Sequence, residues 1–333
     1  MPSPQFNKRI FVIMGILVTA AFIISLRVGR FPLSTADIAA IFLGGEVSNL
    51  ARGVFLTLRL PRTIMALLAG LGLGLAGSVF QLIFKNPLAS PDIIGAASGA
   101  NLGAALAIVM FGQRFAVITF SAFIGSMLVV FLVVFLAQMT RNNSTITYIL
   151  AGVIMKAISE AIIMIMRFFA DPERELAAME FWAMGSLGSI TAARLIAILP
   201  FFLTGFAGLV FARRHIVILG LEDDESRTLG VPVKWVRMIM LGLASLTVAS
   251  VTSLTGLILF IGLISPHVAR LALKKVSFAW CMLSALVGAF ILLAADSAAR
   301  SIAQVEIPIS ILTTFVGVPI LLYFMQSRKA GRI

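Results

Sequence analysis

Residues 59–103 read RLPRTIMALLAGLGLGLAGSVFQLIFKNPLASPDIIGAASGANLG, and this stretch decides the fold. Two arginines, Arg59 and Arg62, come directly before an apolar run, and a polar Lys-Asn-Pro hinge follows the run. After the hinge, glycines recur at every fourth position, as Gly95, Gly99 and Gly103. Small residues at this spacing let helix backbones approach closely in lipid. The stretch therefore predicts a chain that crosses a membrane, turns sharply and returns packed tightly against its neighbours.

The composition of the whole chain supports the same prediction. Hydrophobic residues make up 60% of the 333 residues, charged residues only 12%, and the mean hydropathy is +1.07. A soluble domain carries about twice that share of charged residues. With roughly 20 apolar residues for each helical crossing, the sequence predicts an all-α polytopic membrane protein, a single domain over residues 1–333 with about ten spans. The predicted spans are 10–26, 63–84, 93–111, 115–138, 146–166, 195–212, 235–255, 257–266, 276–295 and 307–325.

The eighth predicted span, 257–266, is too short to cross a membrane alone. Non-helical backbone at membrane depth survives only where protein or a water-filled cavity satisfies its polar groups. We therefore expect this region to belong to a pathway or a gate. An even number of spans places both termini on one side, and the larger share of Lys and Arg on that side favours cytoplasmic termini.

Two segments outside the spans have the pattern of surface helices. Ser34 begins STADIAAIFLGG, with an acid three residues later and glycines at the end, which is typical of a capped helix. Residues 171–189 begin with Asp171-Pro172 and contain Trp182, an aromatic residue suited to the headgroup level. We predict that both helices lie on the extracytoplasmic surface.

The longest polar segment, residues 215–237, is predicted to lie in the cytoplasm. It contains four consecutive acids, Glu222 to Glu225, followed by Gly230. Acids in a first turn and a glycine after a last turn describe a short helix bounded at both ends. Such a helix is suited to docking a partner, and an ordinary solvated loop is the alternative.

The sequence contains no pattern typical of an enzyme. It lacks the GxxxxGK[ST] phosphate loop, the GxSxG nucleophile elbow and the HExxH zinc spacing. Residues 72–77 match GxGxxG, but they lie inside an apolar span without the strand and acid of a dinucleotide site, so we interpret them as helix packing. We expect no catalytic residue, no metal and no cofactor bound by this chain, and no nucleic-acid partner.

A series of motifs in a fixed order carries a specific resemblance. The motifs are RLPR (59–62), NPLASPD (86–92), LAGV (150–153), WAMGS (182–186), LGV (229–231), FIGLISPHVAR (260–270) and DSAAR (296–300). This series resembles the FecCD/BtuC-type permeases, the membrane subunits of ABC importers for iron-siderophore complexes, haem and cobalamin. The resemblance covers nearly the whole chain from about residue 56 onward.

The resemblance implies a type II ABC importer permease in the bacterial cytoplasmic membrane. In such a transporter a second permease subunit pairs with the first, and we favour a homodimer, although a mixed pair stays open. Two ATPase subunits, which bind ATP and Mg²⁺, lie below the pair, and an extracytoplasmic substrate-binding protein docks above it. The first choice of cargo is a ferric siderophore, with haem or cobalamin as alternatives. A secondary transporter working alone is the alternative of another class.

The resemblance also implies roles for individual residues. Arginines at the positions of Arg59, Arg62 and Arg300 face acids of the binding protein, and anchoring to lipid headgroups is the alternative. The family's coupling helix, which contacts the ATPase, corresponds to Glu222, Asp223, Ser226, Leu229, Gly230 and Val231. This chain departs from the family pattern at Leu221-Glu222-Asp223, at Ser226, and at Glu306-Ile307-Pro308-Ile309-Ser310.

The fifth predicted span carries the candidate gate and pathway residues. Similar permeases gate the pathway with this span and the loop before it, which here places Ser144, Thr145, Ile146 and Thr147 at the gate, with helix capping as the alternative. Lys156 and Glu160 lie one turn apart near the membrane centre, and Arg167 continues their face. Intramembrane charges usually point into a bundle or a watery cavity. The pair either lines the pathway or forms a structural i,i+4 ion pair.

Overall fold

The structure is a computed structural model that describes residues 4–29, 31–140, 145–302 and 305–329. These residues form α-helices joined by short turns, and no β-strand occurs in the ranges described. The all-α prediction is therefore confirmed. The helices are α1 Pro4–Arg27, α2 Thr35–Leu43, α3 Asn49–Val54, α4 Leu60–Ile83, α5 Ala96–Phe111, α6 Phe115–Met139, α7 Thr145–Phe169, α8 Ala177–Ala183, α9 Ala192–Phe211, α10 Arg213–Leu219, α11 Asp223–Thr228, α12 Val233–Thr255, α13 Ile261–Ala272, α14 Phe278–Ser301 and α15 Ile309–Lys329.

Nine of the ten predicted spans coincide with a helix, and the eighth overlaps only the start of α13. The count of ten crossings is not confirmed. Within the described ranges, seven helical stretches are long and apolar enough to cross a membrane. They include α4 within the longer stretch Asn49–Ile83, together with α1, α6, α7, α9, α12 and α14. Helix α5 and the apolar part of α15 are shorter, and α13 has only 12 residues. Length and hydropathy therefore establish a polytopic protein without fixing the number of crossings.

Helix α4 forms the centre of the bundle and packs against α12, α13 and α14. Its glycines make this possible, because a Cβ atom at Gly74 or Gly77 would overlap the carbonyl oxygens of Ser284 and Gly262. The GxGxxG residues thus lie in the middle of a buried helix, where they permit backbone contact. The prediction that they serve helix packing is confirmed by this geometry.

The Lys-Asn-Pro hinge is a turn between α4 and a short 3-10 helix, Pro91–Ile94, that leads into α5. Lys85 in this turn has φ 49°, a left-handed conformation that is uncommon for a residue with a side chain. Beyond it, α5 packs closely on α6, since a Cβ at Gly99 would lie 2.5 Å from the oxygen of Gly125. Gly99 and Gly103 therefore permit close helix packing as the sequence predicts, whereas Gly95 precedes α5 with φ 77°.

The region of the eighth predicted span contains backbone that is not helical. Helix α12 ends at Thr255, residues 256–260 form no helix, and α13 begins only at Ile261. Phe260 has φ 66°, so the chain enters α13 through a left-handed residue. Non-helical backbone was expected here, and the helix lies further along the chain than the predicted limits of 257–266.

Both predicted surface helices are present. Ser34 caps α2 with a complete capping box, in which its hydroxyl accepts the Asp37 N–H at 3.0 Å. In the second segment Asp171 accepts N–H groups from Glu173 and Arg174, and helical turns run from Pro172 to Ala183. This segment is shorter than the predicted 171–189, because the chain leaves the helix after Met184 and Gly185 adopts φ 70°.

Candidate functional site

The three predicted docking arginines lie together at one end of the bundle, where α4 begins and α14 ends. We call Arg59, Arg62, Arg300, Asp296 and Glu306 the arginine cluster. Asp296 is fully buried, and its carboxylate is shared by two guanidinium groups, at 2.7 Å from Arg62 Nη2 and 2.8 Å from Arg300 Nη2. Arg62 also pairs with Glu306. One buried carboxylate therefore joins α4 to α14, and Glu306 adds the segment before α15.

The arginine cluster also holds the end of α1. Arg59 is 5% exposed and donates hydrogen bonds to the carbonyl oxygens of Leu26, Arg27 and Phe31. Arg300 donates to the carbonyl oxygens of Ser25 and Val28. Cations near the last carbonyls of a helix are favoured because the helix C-terminus carries partial negative charge. In this chain the arginines are thus buried with partners of their own, and their docking to a second protein stays a prediction.

A cavity of about 580 Å³ opens beside the arginine cluster. The segment that contains α8 forms one wall, the ends of α5 and α12 form others, and Glu306 contributes a carboxylate. Trp182 lies in this wall, partly buried against α5 and α6 residues, rather than fully exposed at the surface. The lining of the cavity combines aromatic, charged and hydroxyl-bearing side chains, including Phe115, Arg174, Phe181, Trp182, Ser189 and Glu306.

Helix α7 carries the predicted pathway residues on a face that the described parts of this chain leave largely exposed. Lys156 Nζ lies 3.7 Å from Glu160 Oε1, and the two side chains are 50% and 55% exposed. Only a narrow stripe of the helix is buried, consisting of Tyr148, Ala151, Gly152, Met155, Ser159 and Ile163. Arg167, predicted to continue this face, pairs with Glu180 of α8 at 3.1 Å. The predicted i,i+4 ion pair therefore forms, and both side chains remain accessible to a molecule that packs on this face of α7.

The predicted gate lies partly outside the described residues, which exclude Ser144. Thr145 and Thr147 are partly buried in the first turn of α7, and Ile146 is exposed. Both the gate role and the alternative of helix capping by the Ser and Thr residues of this region stay predictions.

The predicted coupling segment, residues 215–237, contains most of α10 and all of α11, and it ends in the first turns of α12. Helix α11 has the predicted acids in its first turn, and Gly230 follows it with φ 76°. The predicted coupling residues divide into two groups. Glu222, Leu229 and Gly230 are exposed, whereas Ser226 is buried and donates a hydrogen bond to the Ile218 carbonyl oxygen at 2.9 Å. Val231 is partly buried against the main core.

Asp223 is the most strongly held residue of α11. Its carboxylate accepts hydrogen bonds from Lys85 Nζ at 2.9 Å and from Arg237 Nη2 at 2.8 Å. Burial alone would raise the pKa of Asp223, but these hydrogen bonds and charges outweigh it and bring the pKa below its ordinary value. The carboxylate is therefore ionised and paired at neutral pH.

Several of these partners were not identified from the sequence. Asp296 belongs to the DSAAR motif and Glu306 to a departure from the family pattern, but the sequence predicts no pairing for either. It also gives no signal that Lys85 and Arg237 are partners of α11. One local signal exists, because Asp296 and Arg300 stand at i,i+4 on one helix. The other pairs join residues far apart in the chain, and no sequence spacing reports them.

Comparison with known proteins places this architecture among transport proteins. The model of the FecCD transport family matches residues 17–327. The molybdate import system permease protein of Haemophilus influenzae is 32% identical, over 99% of this chain and 99% of that protein. The ferric enterobactin transport system permease protein of Escherichia coli is 33% identical, over 97% of this chain and 98% of that protein.

A solved structure has the same fold. It is an inward-facing conformation of a metal-chelate type ABC transporter, with a TM-score of 0.84 and 30% sequence identity. The match covers 96% of this chain and 99% of the other chain. The likeness thus extends over nearly the whole chain.

Proposed function

Since the chain belongs to the FecCD transport family, we propose that it forms the pathway through which an ATP-driven importer moves a metal chelate into the cell. The chain is a multi-pass membrane permease of the ABC importer type. Our further proposals concern its partners, its orientation in the membrane and its cargo. We propose the bacterial cytoplasmic membrane as its location, with both termini in the cytoplasm.

The observation that carries the proposal is the exposed charged face of α7. Lys156 and Glu160 lie near the middle of a 25-residue apolar helix and are about half exposed. Charges in the centre of a bilayer are costly when they face lipid, and they normally face a bundle interior or a water-filled cavity. A second permease subunit that pairs across this face would place both charges beside an aqueous pathway instead of lipid. We favour an identical second subunit.

The two ends of the bundle suit two further partners. We propose that the end with the arginine cluster faces the substrate-binding protein, as the family resemblance implies, although the arginines themselves are buried with partners inside this chain. The opposite end presents α11, whose exposed acids and Leu229 are available to an ATPase subunit. ATP and Mg²⁺ would bind on that ATPase, and this chain would be the non-catalytic membrane subunit.

A ferric siderophore is our proposed cargo. The relatives differ in cargo by name, with ferric enterobactin for one and molybdate for another. Lys156 and Glu160 compensate each other's charge, so this face of α7 offers no excess positive charge to an oxyanion such as molybdate. A bulky chelate that contacts both signs of charge fits this face better. Haem and cobalamin are also bulky chelates, so they stay as alternatives.

The test is transport by the complete complex. The permease is coexpressed with its ATPase and binding protein, reconstituted in proteoliposomes, and given ferric siderophore, haem, cobalamin or molybdate with and without ATP. We expect ATP-dependent accumulation of the ferric siderophore. Accumulation driven by an ion gradient without the ATPase would contradict the importer proposal, and ATP-driven uptake of molybdate alone would contradict the proposed cargo.

A paired substitution tests the role of α7. We expect the double variant Lys156→Met with Glu160→Leu to assemble normally and to lose most uptake. The matched control is Ile158→Leu, which keeps side-chain volume on the same exposed helix and should leave uptake unchanged. Normal uptake by the double variant would restrict the pair to a structural role.

A further inference from the structure

Asp223 connects the short helix α11 to two core helices at once. Lys85, which reaches it at 2.9 Å, stands two residues after the end of α4. Arg237, which reaches it at 2.8 Å, lies in the second turn of α12. A second nitrogen–oxygen contact of 2.9 Å joins Arg237 Nη2 to the other carboxylate oxygen. One side chain of α11 therefore bonds to the adjacent ends of both α4 and α12.

The connection is more than a surface ion pair. The Arg237 side chain is 3% exposed, and those of Lys85 and Asp223 are 24% and 33% exposed. Exposed ion pairs contribute little, but partly buried pairs are screened less by water and salt. Lys85 is also held in its turn, where Asn86 Oδ1 accepts the Leu88 N–H at 2.9 Å. The carboxylate thus meets two cations whose positions are fixed by the surrounding structure.

The two core helices carry this connection across the protein. Most residues of α4 and α12 are buried, so each is fixed along its length by neighbouring helices. Helix α4 has 24 residues and therefore spans about 36 Å at ~1.5 Å per residue. Arg62, near its other end, binds Asp296 in the arginine cluster. A continuous set of contacts therefore runs from α11 through Lys85 and α4 to the opposite face.

The remaining surface of α11 is free for a different task. Asp224 is 94% exposed, and Leu229, which follows α11, is 60% exposed. Glu222 is 79% exposed but itself accepts a hydrogen bond from Lys85 Nζ at 3.4 Å, so it belongs to the connection and not to the free surface. An ATPase that binds Asp224 and Leu229 would leave the bonds of Asp223 intact. Docking and transmission thus fall to different residues of the same short helix.

We propose that Asp223 is a positioning residue that transmits displacement of α11 to α4 and α12, with Lys85 and Arg237 as the receiving cations. The inference rests on the proposed importer function, because it assumes that an ATPase moves α11. Rigid elements joined by direct contacts are a physical route for such coupling. Without the carboxylate, α11 would still bind the ATPase but would move without carrying the core helices.

The test measures ATP hydrolysis and cargo uptake in the same proteoliposomes for Asp223→Asn. We expect copurification of the ATPase and its hydrolysis rate to stay within about twofold of the unmodified complex. Uptake per ATP hydrolysed should fall about tenfold, the lower end of the effect expected for loss of a charged hydrogen-bond partner. Lys85→Gln should lower the ratio in the same direction, and Asp223→Glu should restore part of it.

An exposed lysine outside α11 provides the matched control. Lys234 lies in the first turn of α12 and is not a partner of Asp223, and Lys234→Gln should leave uptake per ATP unchanged. An unchanged ratio in both Asp223→Asn and Lys85→Gln would overturn the inference. Loss of the ATPase from Asp223→Asn complexes would also overturn it, since Asp223 would then serve docking. If the unmodified complex shows no ATP-dependent uptake, the importer proposal itself fails, and the inference fails with it.

Discussion

Substitution of Asp296 by asparagine should destabilise the bundle strongly, because this buried carboxylate neutralises two arginines. The side chains of Arg62 and Arg300 are 11% and 8% exposed, and Asp296 is fully buried. Removing one partner of a buried ion pair costs about 3–5 kcal/mol, since the remaining charge is left uncompensated. Arg62 keeps Glu306 as a partner, whereas Arg300 loses its carboxylate. We therefore expect a loss of about 3 kcal/mol, the lower end of that range.

The chain contains its own reporter for this measurement. Cys281 is the one cysteine in the sequence, and its side chain is fully buried in α14. A thiol-reactive dye in detergent solution therefore labels the protein only when this region opens. A loss of about 3 kcal/mol corresponds to roughly a hundredfold larger open fraction, and labelling of Cys281 should accelerate by about that factor.

The matched control for Asp296→Asn is Asp224→Asn. Asp224 is 94% exposed and lies 3.6 Å from Arg227, an exposed pair of a kind that contributes about 0–1 kcal/mol. Its labelling rate should stay close to that of the unmodified protein. If Asp296→Asn also labels at the unmodified rate, the buried carboxylate does not stabilise the bundle, and the reasoning from burial is refuted.

Three further predictions concern a close helix contact, a titration and a helix cap. Gly77→Ala should destabilise the bundle by about 1–3 kcal/mol, because a Cβ there overlaps the Gly262 oxygen. Gly53→Ala should not, because Gly53 has open space around it, and the rate of thiol labelling at Cys281 measures both effects. The carboxylate of Asp223 should remain mostly ionised at pH 3.8, its ordinary pKa, in infrared difference spectra against Asp223→Asn. Its folded pKa is lowered, so its contribution to stability is present above the ordinary pKa and is lost as pH falls through the lowered value. Ser34→Ala should cost about 1 kcal/mol and speed hydrogen exchange in α2 alone, and unchanged exchange would contradict the capping role.

The sequence was sufficient to predict what depends on local pattern. Hydropathy located the helices, the Ser34 pattern identified the cap of α2, and glycine spacing identified where helices touch. Each of these signals lies within one helix or at its end. The eighth predicted span, 257–266, could also be recognised as unusual from the sequence, because it has too few apolar residues to cross a membrane as a helix.

The environment of the arginines could not be predicted in the same way. Arg62 meets Asp296 and Glu306 across 234 and 244 residues of sequence, so no local spacing reports the pairs. A cation at the end of an apolar span looks the same whether it faces water or a buried acid. Only the packing of α4 against α14 shows that these charges are enclosed, which is why the sequence predicts an exposed contact surface there.

The close contact between α4 and α14 also determines which parts of the molecule can change shape. Gly70 meets Gly288, and Gly74 meets Ser284, with no side chain between the backbones that could rearrange. The two helices therefore form a stiff block, and sliding one along the other would require prying them apart. Helix α7 contacts the rest of the chain only through a narrow stripe of buried residues, so it can move more easily than α4 and α14. Spectroscopic labels on α4 and α14 should consequently keep a constant separation through a working cycle, while a label on α7 changes its distance to both.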